Sequence, residues 1–228
     1  MKLIALLSFF AEDEEYIVGD LRDLHKLGVT SVVAVDGAYA MYPDGPVRSG
    51  ERLIEKLRST AESLDMSLLL YQPNTVWMGN EVEKRQVMID LAWTIADKGD
   101  WFVVWDCDYK LVDVPEGPEG SWLPIAGLPS TKQDFAYVSF TESSQDNAWH
   151  PMQMFIKAQP VMMDGNHHTY KLADGRRSQI LRRPVENMAE ARDMSQVKIR
   201  HRVYERDDKR RAGQTAYYVE RDRLGLET

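Results

Sequence analysis

The chain has 228 residues, 43% of them hydrophobic, enough to bury one substantial core. Its formal net charge of -8 excludes wholesale binding to nucleic acid or to anionic membranes. A single cysteine excludes an internal disulfide and fits a reducing compartment, and no Cys/His cluster has zinc spacing.

Met1-Lys2 and the apolar run Leu3 to Phe10 resemble a short signal peptide. That run stops at Glu12-Asp13-Glu14-Glu15 with no small-residue cleavage site, so it reads as a first strand. No stretch approaches the ~18 apolar residues needed to cross a bilayer. The expectation is a cytoplasmic protein.

A helix follows from about Glu12 to Lys26, with acidic residues in its first turn, where the helix dipole favours them. Its apolar positions Ile17, Leu21, Leu24 and Leu27 recur at helical spacing, and Gly28 ends it. Ser31 to Val35 is a second strand ending in Asp36-Gly37. A Gly/Pro loop leads to Ser49, a good N-cap for a helix from about Gly50 to Leu64. Met66 to Tyr71 is a third strand. After a loop, Asn80 caps a helix reaching about Lys98, and Trp101 to Asp106 forms the next strand. Strands alternating with helices specify a mostly parallel sheet covered on both sides, with ligands at the carboxyl ends of the strands. Phe10 to Glu12, Asp36 to Tyr39, Gln72 to Trp77 and Asp106 to Asp108 all fall at those ends.

Beyond Leu111 the alternation stops. Val112 to Pro129 reads as loop, and strand-like alternation returns at Asp134 to Thr141, Met152 to Ala158 and Thr169 to Leu172. A helix is expected near Asn187 to Met194. The closing stretch, Lys198 to Arg223, carries nine Lys/Arg against five Asp/Glu in an otherwise acidic chain. The whole chain therefore reads as one domain, with a parallel strand-helix half (1–111) and a mixed-sheet half (112–228).

The chemistry concentrates in a few places. Asp106 and Asp108 leave an extended backbone on the same face, and two like charges there call for a hard divalent cation bound to phosphate oxygens, or else they are incidental aspartates of a solvated turn. Asp36 at the second strand's end suits a base imide or a ribose hydroxyl, or else a helix-entry turn. Gly79-Asn80-Glu81-Val82-Glu83-Lys84-Arg85 opens a helix whose N–H groups, Lys84 and Arg85 suit a diphosphate; it also reads as a solvated face with Glu81 and Arg85 paired four residues apart. His201 offers a neutral metal ligand, or is an ordinary surface histidine. Arg206, Lys209, Arg210 and Arg211 either clamp phosphates or line a solvated helix. Of His167 and His168, adjacent strand positions, one can face a given site. Trp77 is the aromatic singled out to stack on a sugar ring.

These stretches together resemble nucleotide-sugar glycosyltransferases with the GT-A fold, particularly family-2-like enzymes encoded by actinobacteria and their phages. The resemblance runs from Leu3 to Glu227. It is carried by Ser8-Phe9-Phe10 with Glu12, Val33-Ala34-Val35-Asp36-Gly37-Ala38-Tyr39, Trp77-x-Gly79 through Arg85, and Asp106-x-Asp108. Further on it is carried by His167-His168-Thr169-Tyr170 with Asp174-Gly175, Ile199-Arg200-His201, Arg206, Arg210 and Tyr217-Tyr218-x-x-Arg221. Two departures stand out: Ala11 where similar sequences often have Asp, and Tyr109 where they often have Glu.

The resemblance implies an α/β, GT-A-like three-layer sandwich with a mostly parallel central sheet and a mixed-sheet acceptor half. It implies that Glu12 and Asp36 hold the nucleoside, with Phe10, Gly37, Trp77 and Asn80 beside it. Lys84 or Arg85 would approach the sugar-diphosphate, with Arg206 and Arg210 helping. Asp106 would contact the ribose or the metal, Asp108 the metal, and His201 would complete the coordination. His168 and Tyr170 would belong to the acceptor side. The implied activity is metal-dependent (Mn²⁺ or Mg²⁺) transfer from a UDP- or GDP-sugar to an acceptor that the sequence does not identify, a nucleic acid entering only as a modified-base acceptor. The metal and the Lys/Arg groups would stabilise the diphosphate leaving group. A general base is not singled out among Glu142, Asp146 and Asp164. Two alternatives are a sugar nucleotidyltransferase, which the absence of a Gly-rich basic loop after the first strand disfavours, and a catalytically inactive nucleotide-sugar-binding module.

Overall fold

The computed structural model describes residues 1–40, 45–78, 81–115, 128, 132–142, 148–164, 166–178, 189–202 and 208–225. Their elements run β1 (Leu3–Ser8), α1 (Glu14–Lys26), β2 (Ser31–Val35), α2 (Glu51–Ser63), β3 (Ser67–Tyr71), α3 (Glu81–Ile95), β4 (Trp101–Asp106) and β5 (Tyr109–Asp113). There follow β6 (Phe135–Thr141), β7 (His150–Lys157), β8 (Val161–Asp164), β9 (Asn166–Leu172), β10 (Ala191–His201) and α4 (Asp208–Arg223).

One eight-stranded sheet runs in the order β3-β2-β1-β4-β7-β6-β10-β5, and β8 and β9 form a separate hairpin. β3, β2, β1 and β4 are parallel, joined by helices as the strand-helix alternation demands. β7 enters antiparallel to both β4 and β6, β10 lies parallel to β6, and β5 closes the edge antiparallel to β10. The fold is α/β, with a mixed second half.

Alternation along the central strands sorts the core into two layers. Leu3, Ala5 and Leu7 of β1 and Trp101, Val103 and Trp105 of β4 pack with Ile17, Leu21 and Leu24 of α1 and Leu53, Ile54 and Leu57 of α2. Ile4, Leu6, Phe102 and Val104 point the other way, to Met88, Ile89 and Ala92 of α3 and to Tyr170 and Leu172 of β9. Each such side chain contributes about 1.5–3 kcal/mol by leaving water. Gln86 of α3 ties the hairpin on: its side-chain amide donates to the Val161 carbonyl and its oxygen accepts from the Met163 N–H. No helix among the described residues is long and apolar enough to cross a membrane.

Three expectations change. Residues 191–194, expected to be helical, are β-strand, because Met194, Val197 and Ile199 are drawn into the core beside β6. Val112 and Asp113, expected to open a loop, belong to the strand Tyr109–Asp113, since β10 supplies it with a partner. Extended backbone stops at Asp106; Cys107 and Asp108 form a turn, so the two aspartates do not share one strand face.

Candidate functional site

The carboxyl ends of β1, β2 and β3 are laced together through Asp36, which is fully buried. Its Oδ1 accepts from the Gly37 N–H and the Ser49 hydroxyl, each at 2.7 Å. Its Oδ2 accepts from the Ser49 N–H at 2.8 Å and from Gln72 Nε2 at 2.9 Å. A carboxylate has about four lone-pair sites, and these four bonds take them all. Asp36 therefore orders the strand ends here rather than presenting an open acceptor to a nucleoside. Ser49 lies one residue before the actual N-cap, Gly50, and its hydroxyl also accepts from the N–H of Ala11, a residue in left-handed backbone (φ 44°). Ser49→Ala strips a partner from a buried carboxylate and another from that N–H. The expected loss is about 2 kcal/mol, read as a lower urea midpoint at unchanged m-value.

Trp77 is buried, and its indole N–H donates to the Asp36 carbonyl at 2.9 Å, so this ring is part of the loop's own packing. The backbone of Trp77 exchanges hydrogen bonds with Ala38 and Ala40 in a short bridge to the segment around Tyr39. Phe10 and Glu12 are half-buried beyond the end of β1. Glu12 lies near enough to Asp20 and Cys107 for its charge to raise both of their pKa values.

Lys84 and Arg85 both point inward from α3. Lys84 Nζ donates to the Phe9 carbonyl at 2.7 Å and the Gly37 carbonyl at 3.1 Å, pinning the ends of β1 and β2, and it sits 5.3 Å from the centre of the Tyr39 ring. Burial lowers its pKa to about 8, against the pull of Asp36, Cys107, Glu81 and Asp106. Tyr217 of α4 packs on the same Tyr39 ring, centroids 5.2 Å apart, so the C-terminal helix reaches this corner. Arg85 Nη2 donates to Asp106 Oδ2 at 2.6 Å, with Glu81 at 3.7 Å. Its buried Nε and Nη1 have no hydrogen-bond partner. The Tyr170 phenol lies close to Arg85 and Asp106, and burial pushes its pKa up to about 12. Tyr170, expected on the acceptor side, thus reaches Arg85 from β9.

Asp108 and His201 meet across 93 residues of chain, with Oδ2 and Nε2 2.7 Å apart. Asp108 is buried and the His201 side chain is 21% exposed. Burial opposes the imidazolium, but the bonded Asp108, with the charges of Asp106 and Glu142, outweighs it and raises the His201 pKa. Tyr109 and Phe140 pack against the imidazole, with ring centroids 5.6 and 6.0 Å away. Among the described residues no three His, Cys, Asp or Glu side chains converge as a metal-binding group. The three expected ligands instead split into an Asp106–Arg85 pair and an Asp108–His201 pair.

Of the other expected residues, Asn80 and Arg206 lie outside the described residues, as do the side chains of His168 on β9 and Arg210 on α4. Two residues that sequence reasoning passed over belong to the site's frame. Asp20 on α1 is fully buried, and Arg202, directly after β10, donates from Nη2 to its Oδ1 at 2.9 Å. The signal for Asp20 was present: position 20 falls on the stripe of Ile17, Leu21 and Leu24.

No family model matches the chain. No curated protein matches it. Among solved structures, the crystal structure of mannose-6-phosphate isomerase from Helicobacter pylori is similar over 70% of this chain at 10% identity, with a TM-score of 0.36. The chain spans 61% of that protein's length. An overlap this loose defines neither a shared fold nor a shared activity.

Proposed function

We propose that the chain is a metal-dependent glycosyltransferase of the GT-A kind, which moves a sugar from a nucleotide-diphosphate sugar to an acceptor. The observation that carries this reading is the grouping at the carboxyl end of β4. Asp106 and Asp108 meet Arg85, Tyr170 and His201 there, brought by three other elements, α3, β9 and β10. Ligands bind at that end of a parallel sheet.

The donor set suits a small divalent cation. Asp108 Oδ2 and His201 Nε2, a carboxylate and an imidazole of the kind such a cation takes, are joined by a 2.7 Å hydrogen bond, and its proton would leave as the ion bound. These two groups would hold Mn²⁺ or Mg²⁺, with Asp106 as a further oxygen donor. When bound, the ion would neutralise charge building on the diphosphate leaving group. The chain's own part is positioning and charge. Arg85 orients Asp106 and adds positive charge to the cluster, and Lys84 holds the ends of β1 and β2 that border the nucleoside side. Burial of this cluster strengthens each contact relative to water.

A second reading is a nucleotide-sugar-binding module without transfer. The closed Asp106–Arg85 pair favours it.

The test is thermal unfolding with UDP, GDP, ADP, CMP and their common sugar conjugates, each with and without Mn²⁺. A ligand at 100 times its Kd stabilises by ~2.7 kcal/mol. The expected result is a metal-dependent shift for one diphosphate nucleotide that Asp108→Ala abolishes. No metal-dependent shift with any nucleotide would sink the proposal. A shift without donor hydrolysis or transfer would favour the binding module.

A further inference from the structure

Asp20 sits on the apolar face of α1 between Ile17 and Leu21, with no surface open to solvent. A carboxyl group in such a place is costly unless its oxygens are matched. Its Oδ1 accepts from the Trp105 indole N–H at 3.2 Å and from Arg202 Nη2 at 2.9 Å, the Cys107 thiol lies beside the carboxyl, and the buried Oδ2 has no hydrogen-bond partner. Each of these partners is a chain neighbour of a candidate ligand. Trp105 precedes Asp106, Cys107 stands between Asp106 and Asp108, and Arg202 follows His201.

Asp106, the last residue of β4, turns to α3 and Arg85, so Trp105 before it faces the α1 layer. The turn that begins at Cys107 packs the thiol into the same layer, beside Asp20. Arg202 closes the circuit: its N–H donates to the Asp108 carbonyl at 2.5 Å, and its guanidinium lies 4.4 Å from the centre of the Tyr16 ring of α1. Burial pushes the Asp20 carboxyl pKa well up against the pull of Arg202.

We propose that Asp20 is a positioning residue: through Trp105, Cys107 and Arg202 it fixes how Asp106, Asp108 and His201 stand relative to one another, and so sets the affinity for a divalent cation. The metal part rests on the proposed function; the positioning part does not.

The experiment compares wild type with Asp20→Leu, which removes the acceptor at similar volume, and Arg202→Met, which cuts the contact from the other end. Asp20→Asn keeps an acceptor oxygen and serves as the conservative rescue, and Leu24→Ala is a control that weakens the same α1 core. The first readout is the ¹H NMR signal of the His201 imidazole N–H in metal-free protein, assigned by its loss in His201→Gln. The second is Mn²⁺ affinity, from the free-ion EPR signal. Asp20→Leu and Arg202→Met are expected to shift or broaden the imidazole signal and to weaken Mn²⁺ by about tenfold or more, as lost outer partners of metal ligands do. Asp20→Asn should recover most of both, and Leu24→Ala should leave both near wild type.

An unmoved imidazole signal with unchanged Mn²⁺ affinity in both variants would overturn the proposal. So would failure of both to fold while Leu24→Ala folds, since Asp20 would then be a core residue only. If wild type binds no Mn²⁺ but the imidazole signal still moves, the positioning role stands and the metal reading falls.

Discussion

Gly37→Ala is expected to cost about 4 kcal/mol, a large share of a domain's usual stability. Gly37 follows Asp36 with φ at 112°, where an L side chain is strained by ~1–3 kcal/mol. A Cβ there would stand 2.5 Å from Pro73 Cγ and 2.7 Å from Trp77 Nε1. Neither neighbour yields readily. Pro73 is buried, and the Trp77 indole is fixed on the Asp36 carbonyl by a 2.9 Å hydrogen bond. Pushing Trp77 away frees that buried carbonyl as well. Urea unfolding followed by tryptophan fluorescence checks this, with Gly45→Ala as the control because nothing lies within 4 Å of its added Cβ. The control should change stability by no more than ~0.5 kcal/mol. Equal effects at the two positions would mean that the close packing around Gly37 does not govern stability.

The second large effect depends on pH. Lys84 titrates near 10.5 when unfolded and at about 8 when folded, because burial disfavours its charge. Between those values the unfolded chain binds more protons, so stability should rise as pH climbs from about 8 towards 10.5. The full rise is worth roughly 3 kcal/mol at ~1.4 kcal/mol per pKa unit. Below pH 8 both states carry the proton and this contribution is flat. Lys84→Met removes the titration and leaves the Phe9 and Gly37 carbonyls without their donor, which costs about 2 kcal/mol at neutral pH. The two proteins should therefore diverge above pH 8, wild type gaining and Lys84→Met not. Parallel stability curves across that window would show that the ammonium is not held in the closed corner between β1, β2 and Tyr39.

The first half of the fold was readable because its signals are local. β1, β2, β3 and β4 are short apolar runs, and α1 and α2 repeat their apolar residues at helical spacing, so each announces itself within a dozen residues. β10 failed that approach. Residues 187–194 are good helix formers in isolation, but Ala191 to Met194 pair with Phe135 to Val138, more than fifty residues earlier, and that ladder overrides propensity.

The site divides in the same way. The positions of Asp36, Asp106, Asp108 and Arg85 at strand ends or a helix start follow from local pattern. What those groups bond to does not. The four partners that fill Asp36 come partly from Ser49 and Gln72, and the partner of Asp108 from the far end of β10. Asp20 was legible as an acid on an apolar stripe, though its three partners needed the tertiary structure.

The position of β10 governs when the site comes into being. Synthesis delivers β1 to β5 first, and β5 pairs with β10 across register positions such as Tyr109 with His201. Until residues near 202 emerge from the ribosome, Asp108 lacks its imidazole and Asp20 lacks its guanidinium. A nascent chain with β1 to β4 already paired therefore has strand ends but no assembled Asp108–His201 pair. The last long strand to be made acts as the key that completes the site.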